Sequence, residues 1–238
     1  MARPRRDTYN DLYFSEITTP EQAYWLGFVM CDGCLSERSP NIRLKVALSK
    51  ADELHLLAFK QALDYIGPIR RYEVGRTGKF ISEIILSGRK IVDDLKALGM
   101  RVGNKPQSVF PETPGLERHV VRGMLDADGS WGVYREPRGN SIKLKFTIQV
   151  TTARHMAERC AAILSRVAGC KSPAIQNGNC AEPDVVAWSI SGRGNMQRCA
   201  NYLYDQAQVF LDRKRDTAIK AWTEKNQYVR AHHPCRLV

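Results

Sequence analysis

The chain lacks any apolar run approaching the roughly 18 residues that a membrane-spanning helix needs, which argues against an integral membrane protein. Its start, Met-Ala-Arg-Pro-Arg-Arg-Asp, has no apolar stretch behind the arginines and does not read as a secretory signal. Cysteine is too sparse and too scattered for a disulfide framework: seven residues, an odd number, at 31, 34, 160, 170, 180, 199 and 235. That usage predicts an intracellular, reducing compartment, such as a bacterial or phage-infected cytoplasm or an organelle matrix. Cys31-x-x-Cys34 has no second pair of the same kind, and His232-His233-x-Cys235 stands alone, so neither makes a zinc site. Small filler residues and a chain end account for them.

What is present is positive charge. Lysine and arginine number 36 against 25 acids, a net charge of +11, which favours a polyanionic partner. Hydrophobic residues make up 43% of 238, enough for a packed core. The length suits one large domain or two of about 110–120 residues.

A short phrase occurs twice. Trp25-Leu-Gly-Phe-Val-Met-Cys-Asp32-Gly33 returns as Val121-Arg-Gly-Met-Leu-Asp-Ala-Asp128-Gly129, so 128 − 32 gives a period of 96 residues. Each copy is an apolar helical stretch ending in Asp-Gly. Gly27/Cys31 and Gly123/Ala127 put small residues four apart on one helix face, which lets two backbones approach closely. Packed against each other, the two helices would bring Asp32 and Asp128 together at their C-termini. Two adjacent carboxylates, at the negative ends of two helix dipoles, favour a cation between them. For either copy alone, Asp-Gly as a plain helix terminator with glycine at C′ is the competing reading. Two copies in register favour the cation.

The repeat extends further. Ile42, Leu44, Val46 and Leu48 alternate with Arg43, Lys45, Ala47 and Ser49. Likewise Ile142, Leu144, Phe146, Ile148 and Val150 alternate with Lys143, Lys145, Thr147, Gln149 and Thr151. This is the pattern of half-buried antiparallel strands with one basic, polar face, on which Arg43/Lys45 is expected to stand against Lys145/Thr147 at equivalent positions of the two halves. Helical spacing follows, with Leu54, Leu57, Ala58, Ala62 and Leu63 as the apolar face of one segment. Met156, Cys160, Ile163, Leu164 and Val167 form that of the other. Further strands are expected at about 69–76, 79–87, 174–178 and 185–191. The last strand of each half closes on Ser-Gly-Arg (87–89 and 191–193), where a third helix begins.

The predicted fold is therefore α+β, two pseudo-symmetric α-β-β-α-β-β-α repeats. The first spans residues 1–102 and the second 116–238, joined by a linker at 103–115 with three prolines and two glycines.

Gly-Phe-Val-Met-Cys-Asp-Gly and Gly-Met-Leu-Asp-Ala-Asp-Gly resemble the two signature motifs of the LAGLIDADG homing endonucleases in their monomeric two-repeat form. The resemblance covers about Pro20 to Trp222. In the first motif Met30 replaces the earlier acid and Cys31 the small residue, while the last acid is kept as Asp32. The resemblance implies that the motif helices form the interface between halves and that eight strands make a saddle over double-stranded DNA. It implies cleavage of both strands across the minor groove of a long asymmetric target. Asp32 and Asp128 would bind Mg²⁺ (Mn²⁺ or Ca²⁺ fit the same ligands), helped by the carbonyls of Cys31 and Ala127. Lys105 and Lys214 fall where the family places a catalytic lysine after the third helix, and Lys50 and Thr152 where it often has a polar residue.

Residues expected to contact DNA are Ser36, Arg38, Arg43, Lys45, Arg70, Tyr72, Arg76, Lys79 and Glu83 in the first half. In the second they are Tyr134, Lys143, Lys145, Thr147, Gln149, Gln176, Asn177 and Ser189. A β-ribbon fits the major groove, although half or more of such contacts go to phosphates. The competing function is a non-cleaving nucleic-acid binder on the same fold, an RNA maturase or a transcriptional regulator. Retention of both acids favours the nuclease, the length leaves no room for an added helix-turn-helix, and the repeats leave none for an intein's splicing domain.

Overall fold

A computed structural model describes residues 8–38, 41–75, 78–103, 107–138, 141–173, 175–177 and 184–223. The first repeat runs α1 (Pro20–Asp32), β1 (Gly33–Arg38), β2 (Asn41–Ser49), a 3₁₀ turn (Lys50–Asp52), α2 (Glu53–Ala62), β3 (Arg70–Val74), β4 (Lys79–Ser87) and α3 (Arg89–Ala97). The second runs α4 (Glu117–Ala127), β5 (Gly129–Arg138), β6 (Ser141–Ala153), α5 (Arg154–Ala168), β7 (Gln176–Asn177), β8 (Val185–Ser191) and α6 (Arg193–Tyr204). An added helix, α7 (Asp212–Thr223), follows. Each repeat forms one four-stranded antiparallel sheet, ordered β1-β2-β4-β3 and β5-β6-β8-β7. The α+β duplication expected from the sequence is the fold observed; α7 is a departure from it.

Helix α1 starts on a capping box: Thr19 Oγ1 accepts from the Gln22 N–H (3.2 Å) and Gln22 Oε1 accepts from the Thr19 N–H (3.1 Å). Pro20 at the first turn has no amide hydrogen to leave unpaired. The helix is buried along nearly its whole length, Ala23 to Cys31, because it lies between the two halves. Its partner is α4. A Cβ on Gly27 would land on the Val120 carbonyl oxygen, and one on Gly123 would strike the Tyr24 carbonyl and reach 2.7 Å from the Phe28 nitrogen. The two backbones therefore touch at the two glycines, as the small-residue spacing predicts.

Helix α2 corrects the sequence reading. Leu54 and Leu57 are 79% and 40% exposed, while His55, Leu56, Phe59 and Leu63 are buried. Of the expected face Leu63 is buried and Ala58 and Ala62 are half-buried, while aromatic packing turns His55, Leu56 and Phe59 inward in place of Leu54 and Leu57. Phe59 and His55 lie 4.9 and 4.8 Å (ring centroids) from Trp25. In α5 the expected face is the buried one apart from Val167, which is half-buried, and Gly169 ends the helix at φ 59°.

Strand register exposes a second correction. Gly33 pairs with Val46, and Gly129 with Val150. The equivalent of Arg43 is therefore Thr147 and that of Lys45 is Gln149, two residues beyond the match of Arg43/Lys45 with Lys145/Thr147 suggested by sequence. The cause is length: β1 and β2 share six residue pairs, β5 and β6 ten.

Candidate functional site

The motif helices deliver Asp32 and Asp128 to the same end of the α1/α4 contact. Asp32 is the last residue of α1 and Asp128 caps α4, its N–H bonded to the Met124 carbonyl (2.9 Å). The glycine after each is not a left-handed terminator. Gly33 has φ −75° and ψ 155°, ordinary extended backbone, but a Cβ there would strike the Val29 carbonyl. The Asp-Gly step is thus small because the strand must leave hard against the helix end. Asp128 lines a cavity of ≈330 Å³ together with Met30, Cys31, Ser108, Thr151 and Thr152, so the end of one motif helix faces that of the other.

Lys214 sits over this junction. Its ammonium donates to the Leu125 carbonyl (3.4 Å) and to the Gly129 carbonyl at the C-terminal end of α4. Burial and the neighbouring Arg213 guanidinium lower its pKa, while Asp126, Asp32 and Asp128 pull it back up. One ammonium therefore feels both motif carboxylates. Lys214 lies after the third helix of its half, α6, as expected, in the first turn of α7. Lys105 and Arg76 lie outside the described residues.

The donor set suits a hard divalent cation. It consists of two carboxylates with helix-end carbonyls beside them, all oxygen, as Mg²⁺ prefers. Among the described residues no group of three or more histidine, cysteine or acidic side chains gathers in one place. Such a two-carboxylate site leaves coordination positions for water and phosphate, and does not fit structural zinc.

Next to the motif acids the structure reveals a buried polar network that sequence reading missed. Asp126 is fully buried and accepts from Tyr24 (3.0 Å), Tyr204 (2.6 Å) and the Leu211 N–H (2.8 Å). Burial raises its carboxyl to about 6, while the three donors and nearby Arg122 oppose that shift. Because Tyr24 gives its one hydroxyl proton to Asp126, the His55 Nε2 at 2.7 Å is the donor to Tyr24. Arg122, also buried, donates to the Val209 (2.9 Å) and Leu203 (3.1 Å) carbonyls and lies over the Tyr24 ring. The available signal was the earlier acid of the second motif, Asp126, which the first motif replaces with Met30.

Pairing places the expected contact residues. Across sheet one, Ser36↔Arg43, Ala47↔Glu83↔Arg70, Tyr72↔Ile81 and Val74↔Lys79 put Ser36, Arg38, Arg43, Lys45, Arg70, Tyr72, Lys79 and Glu83 on one face. Across sheet two, Tyr134↔Lys145, Glu136↔Lys143, Gln149↔Ser189 and Gln176↔Ala187 do the same for Tyr134, Lys143, Lys145, Gln149, Ser189 and Gln176. Three residues depart from the expectation of an open contact. Asn177 pairs with buried Val186, so it lies on the helix side, where Arg154 reaches its side-chain oxygen at 3.5 Å. Thr147 shares the right face but is buried, because the Tyr134 ring folds over its cross-strand partner Gly132. Glu83 is covered by the Tyr72 hydroxyl (3.1 Å) and the Lys45 ammonium (3.5 Å). Lys50 is exposed and Thr152 half-buried at the strand ends.

No helix of the described residues is long and apolar enough to cross a membrane, and their cysteines are free thiols. No protein-family model matches the chain, and no curated protein matches it in sequence. Solved structures share its fold. The I-LtrWI LAGLIDADG homing endonuclease bound to target DNA superposes with a TM-score of 0.57 at 9% identity, over 89% of this chain and 90% of that one. The I-SmaMI LAGLIDADG homing endonuclease bound to cleaved DNA gives 0.54 at 13% identity, over 86% and 88%. The meganuclease I-SmaMI bound to uncleaveable DNA gives 0.57 at 11%, over 85% and 90%. The chain thus has the fold of the LAGLIDADG homing endonucleases in its two-repeat form.

Proposed function

We propose that the chain is a site-specific endonuclease that cuts both strands of a long asymmetric DNA duplex with a divalent cation, Mg²⁺ in the first instance. The observation that carries this reading is the pair Asp32 and Asp128, delivered by two crossing helices between two sheets that each present a polar, lysine- or arginine-bearing face. A pure binder has no use for two crowded carboxylates at that junction.

The cation would be held by Asp32 and Asp128, with the Cys31 and Ala127 carbonyls beside them, and would supply an activated water and charge neutralisation at phosphate. Lys214 is held by helix-end carbonyls near both acids, where an ammonium offsets charge building on the phosphorus oxygens. Lys105 is proposed for the same task in the first repeat. The basic sheet faces grip the duplex: Arg43, Lys45, Lys145 and Gln149 address base edges and phosphates, and Lys79 and Lys143 add backbone contacts. With roughly six to ten phosphate contacts, affinity falls about 10³–10⁵-fold between about 50 and 200 mM salt. Because one chain carries both halves, a monomer suffices for one target.

The test is cleavage selection from a randomised duplex library with Mg²⁺, followed by Asp32→Asn and Asp128→Asn on the selected site. The variants should bind the site with near-native affinity and fail to cut. Binding without cleavage by the native chain would overturn the endonuclease reading in favour of a non-cleaving nucleic-acid binder.

A further inference from the structure

Helix α7 is weakly packed: of its twelve residues, only Ala218 and Ala221 are buried. Near its end the Ala221 carbonyl accepts from Gln197 (2.9 Å) and Arg193 (3.2 Å) of α6, and a separate set of tethers fixes its first turn, which carries Lys214. Leu211, just before it, donates its N–H to Asp126 (2.8 Å), and Lys214 donates to the Leu125 and Gly129 carbonyls; both tethers end on α4 or the first residue of β5, in the second repeat. The tether between them crosses to the first repeat. Arg213 Nε and Nη2 donate to Asp52 Oδ1 and Oδ2, each at 2.8 Å, a bidentate pair between residues 161 apart in sequence. The Asp52 side chain is 9% exposed, and Ser49 Oγ donates to it at 3.3 Å, so the acceptor is rigid. Arg213 holds the Asp52 carboxyl below its ordinary range. Consecutive residues on a helix point about 100° apart, so Arg213 reaches one repeat while Lys214 reaches the other.

We propose that the Asp52–Arg213 ion pair is a positioning clamp through which the first repeat fixes Lys214 of the second at the junction of Asp32 and Asp128. The proposal rests on the endonuclease reading and adds to it a division of labour: the lysine of one half is placed by an acid of the other. Bidentate pairing suits the task, since it fixes orientation as well as distance. Neither Asp52 nor Arg213 need touch the reacting phosphate.

Asp52→Asn and Arg213→Gln remove the clamp from opposite ends, and Asp52→Asn is close to isosteric. Each variant is measured for cleavage of the two strands separately, for kcat and KM, for DNA affinity, and for the rate at which Lys214 is acetylated by acetic anhydride without DNA or metal. Both should slow one strand about 10–10²-fold, the scale of a roughly 1 Å misplacement, so that nicked duplex accumulates. The loss should fall on kcat with KM and affinity unchanged, and Lys214 should acetylate faster in both variants to the same extent. Arg213→Lys, which keeps the charge but not the fork, should fall between. The clamp is refuted if Asp52→Asn cuts and acetylates like the native chain, or if both strands slow alike. It is refuted equally if Arg213→Gln alone weakens DNA binding, which would make Arg213 a phosphate contact. Should the native chain not cut at all, the endonuclease reading fails, and the acetylation rates still decide whether the pair holds Lys214.

Discussion

Tyr24, on the first motif helix, donates its hydroxyl at 3.0 Å to Asp126, on the second, so the two repeats are joined by a buried hydrogen bond as well as by backbone contact. Asp126 has no counterpart in the first motif, where Met30 stands, and the link is therefore asymmetric. Tyr24→Phe leaves one donor fewer for a buried carboxylate, and should lower stability by about 1–3 kcal/mol. Urea unfolding checks it; a change under about 0.5 kcal/mol would mean that Tyr204 and Leu211 suffice to satisfy the acid.

Gly123→Ala should be far more damaging than its size suggests. The added methyl meets the Tyr24 carbonyl and the Phe28 nitrogen, backbone atoms that move only if the helices part. Overpacking of this kind costs about 1–3 kcal/mol or more. By contrast, exposed Leu54→Gln should be nearly neutral, whereas Leu56→Ala, fully buried, should cost about 2–5 kcal/mol. Thermal melts of the three variants rank them directly, and equal losses at Leu54 and Leu56 would contradict the observed face of α2.

His55 makes stability depend on pH. Burial lowers its pKa from 6.5 to about 4, so below 6.5 the unfolded chain takes up a proton that the folded chain refuses. The contribution is present above pH 6.5 and lost as pH falls toward 4, about 3 kcal/mol in all. Asp126, raised from 3.8 to about 6, has the opposite sign: its folded form holds a proton longer, so it loses stability as pH rises through that window. Denaturant titrations of the native chain and His55→Gln between pH 4 and 7 separate the two. The variant should lose the downward slope on acidification, and an unchanged slope would show that His55 takes up its proton alike in the folded and unfolded chain.

On the proposed function, Glu83 would act on DNA through its neighbours. Its carboxylate takes the Tyr72 hydroxyl and pairs with Lys45, and the matching position of the second sheet is Ala187. On the proposed function, Glu83→Gln removes a negative charge from the contact face and frees Lys45. General DNA affinity should rise, while discrimination at one or two base pairs falls by about 1–3 kcal/mol. Binding to single-base variants of the selected site gives both numbers, and a uniform loss of affinity would mean instead that Glu83 contacts the duplex directly.

Much of this architecture was legible because it recurs. The repeated Asp-Gly phrase, the small-residue stripes and the alternating strands each follow from spacing, and the structure keeps all of them. The failures have physical causes. In α2, Leu54/Leu57 and Leu56/Phe59/Leu63 are both helical stripes, and only the Trp25–Phe59 contact across the core decides between them. Helix α7 opens with Asp-Arg-Lys-Arg-Asp and buries two alanines, so no apolar stripe marks it. The offset between repeats is 96 residues at Gly33/Gly129 but 104 at Val46/Val150, because four residues are added to each strand of the second hairpin. A constant period hides that step. Asp52–Arg213 spans 161 residues and has no local signature at all.

The longer second hairpin has a consequence for the shape of any target. Four further residue pairs at about 3.4 Å per residue extend that arm by about 14 Å. Duplex DNA advances about 3.4 Å per base pair, so a duplex lying along both arms would be gripped over roughly four more base pairs on one flank than on the other. The recognised sequence would then be lopsided about the point of scission, and footprinting should find its two flanks unequal in length.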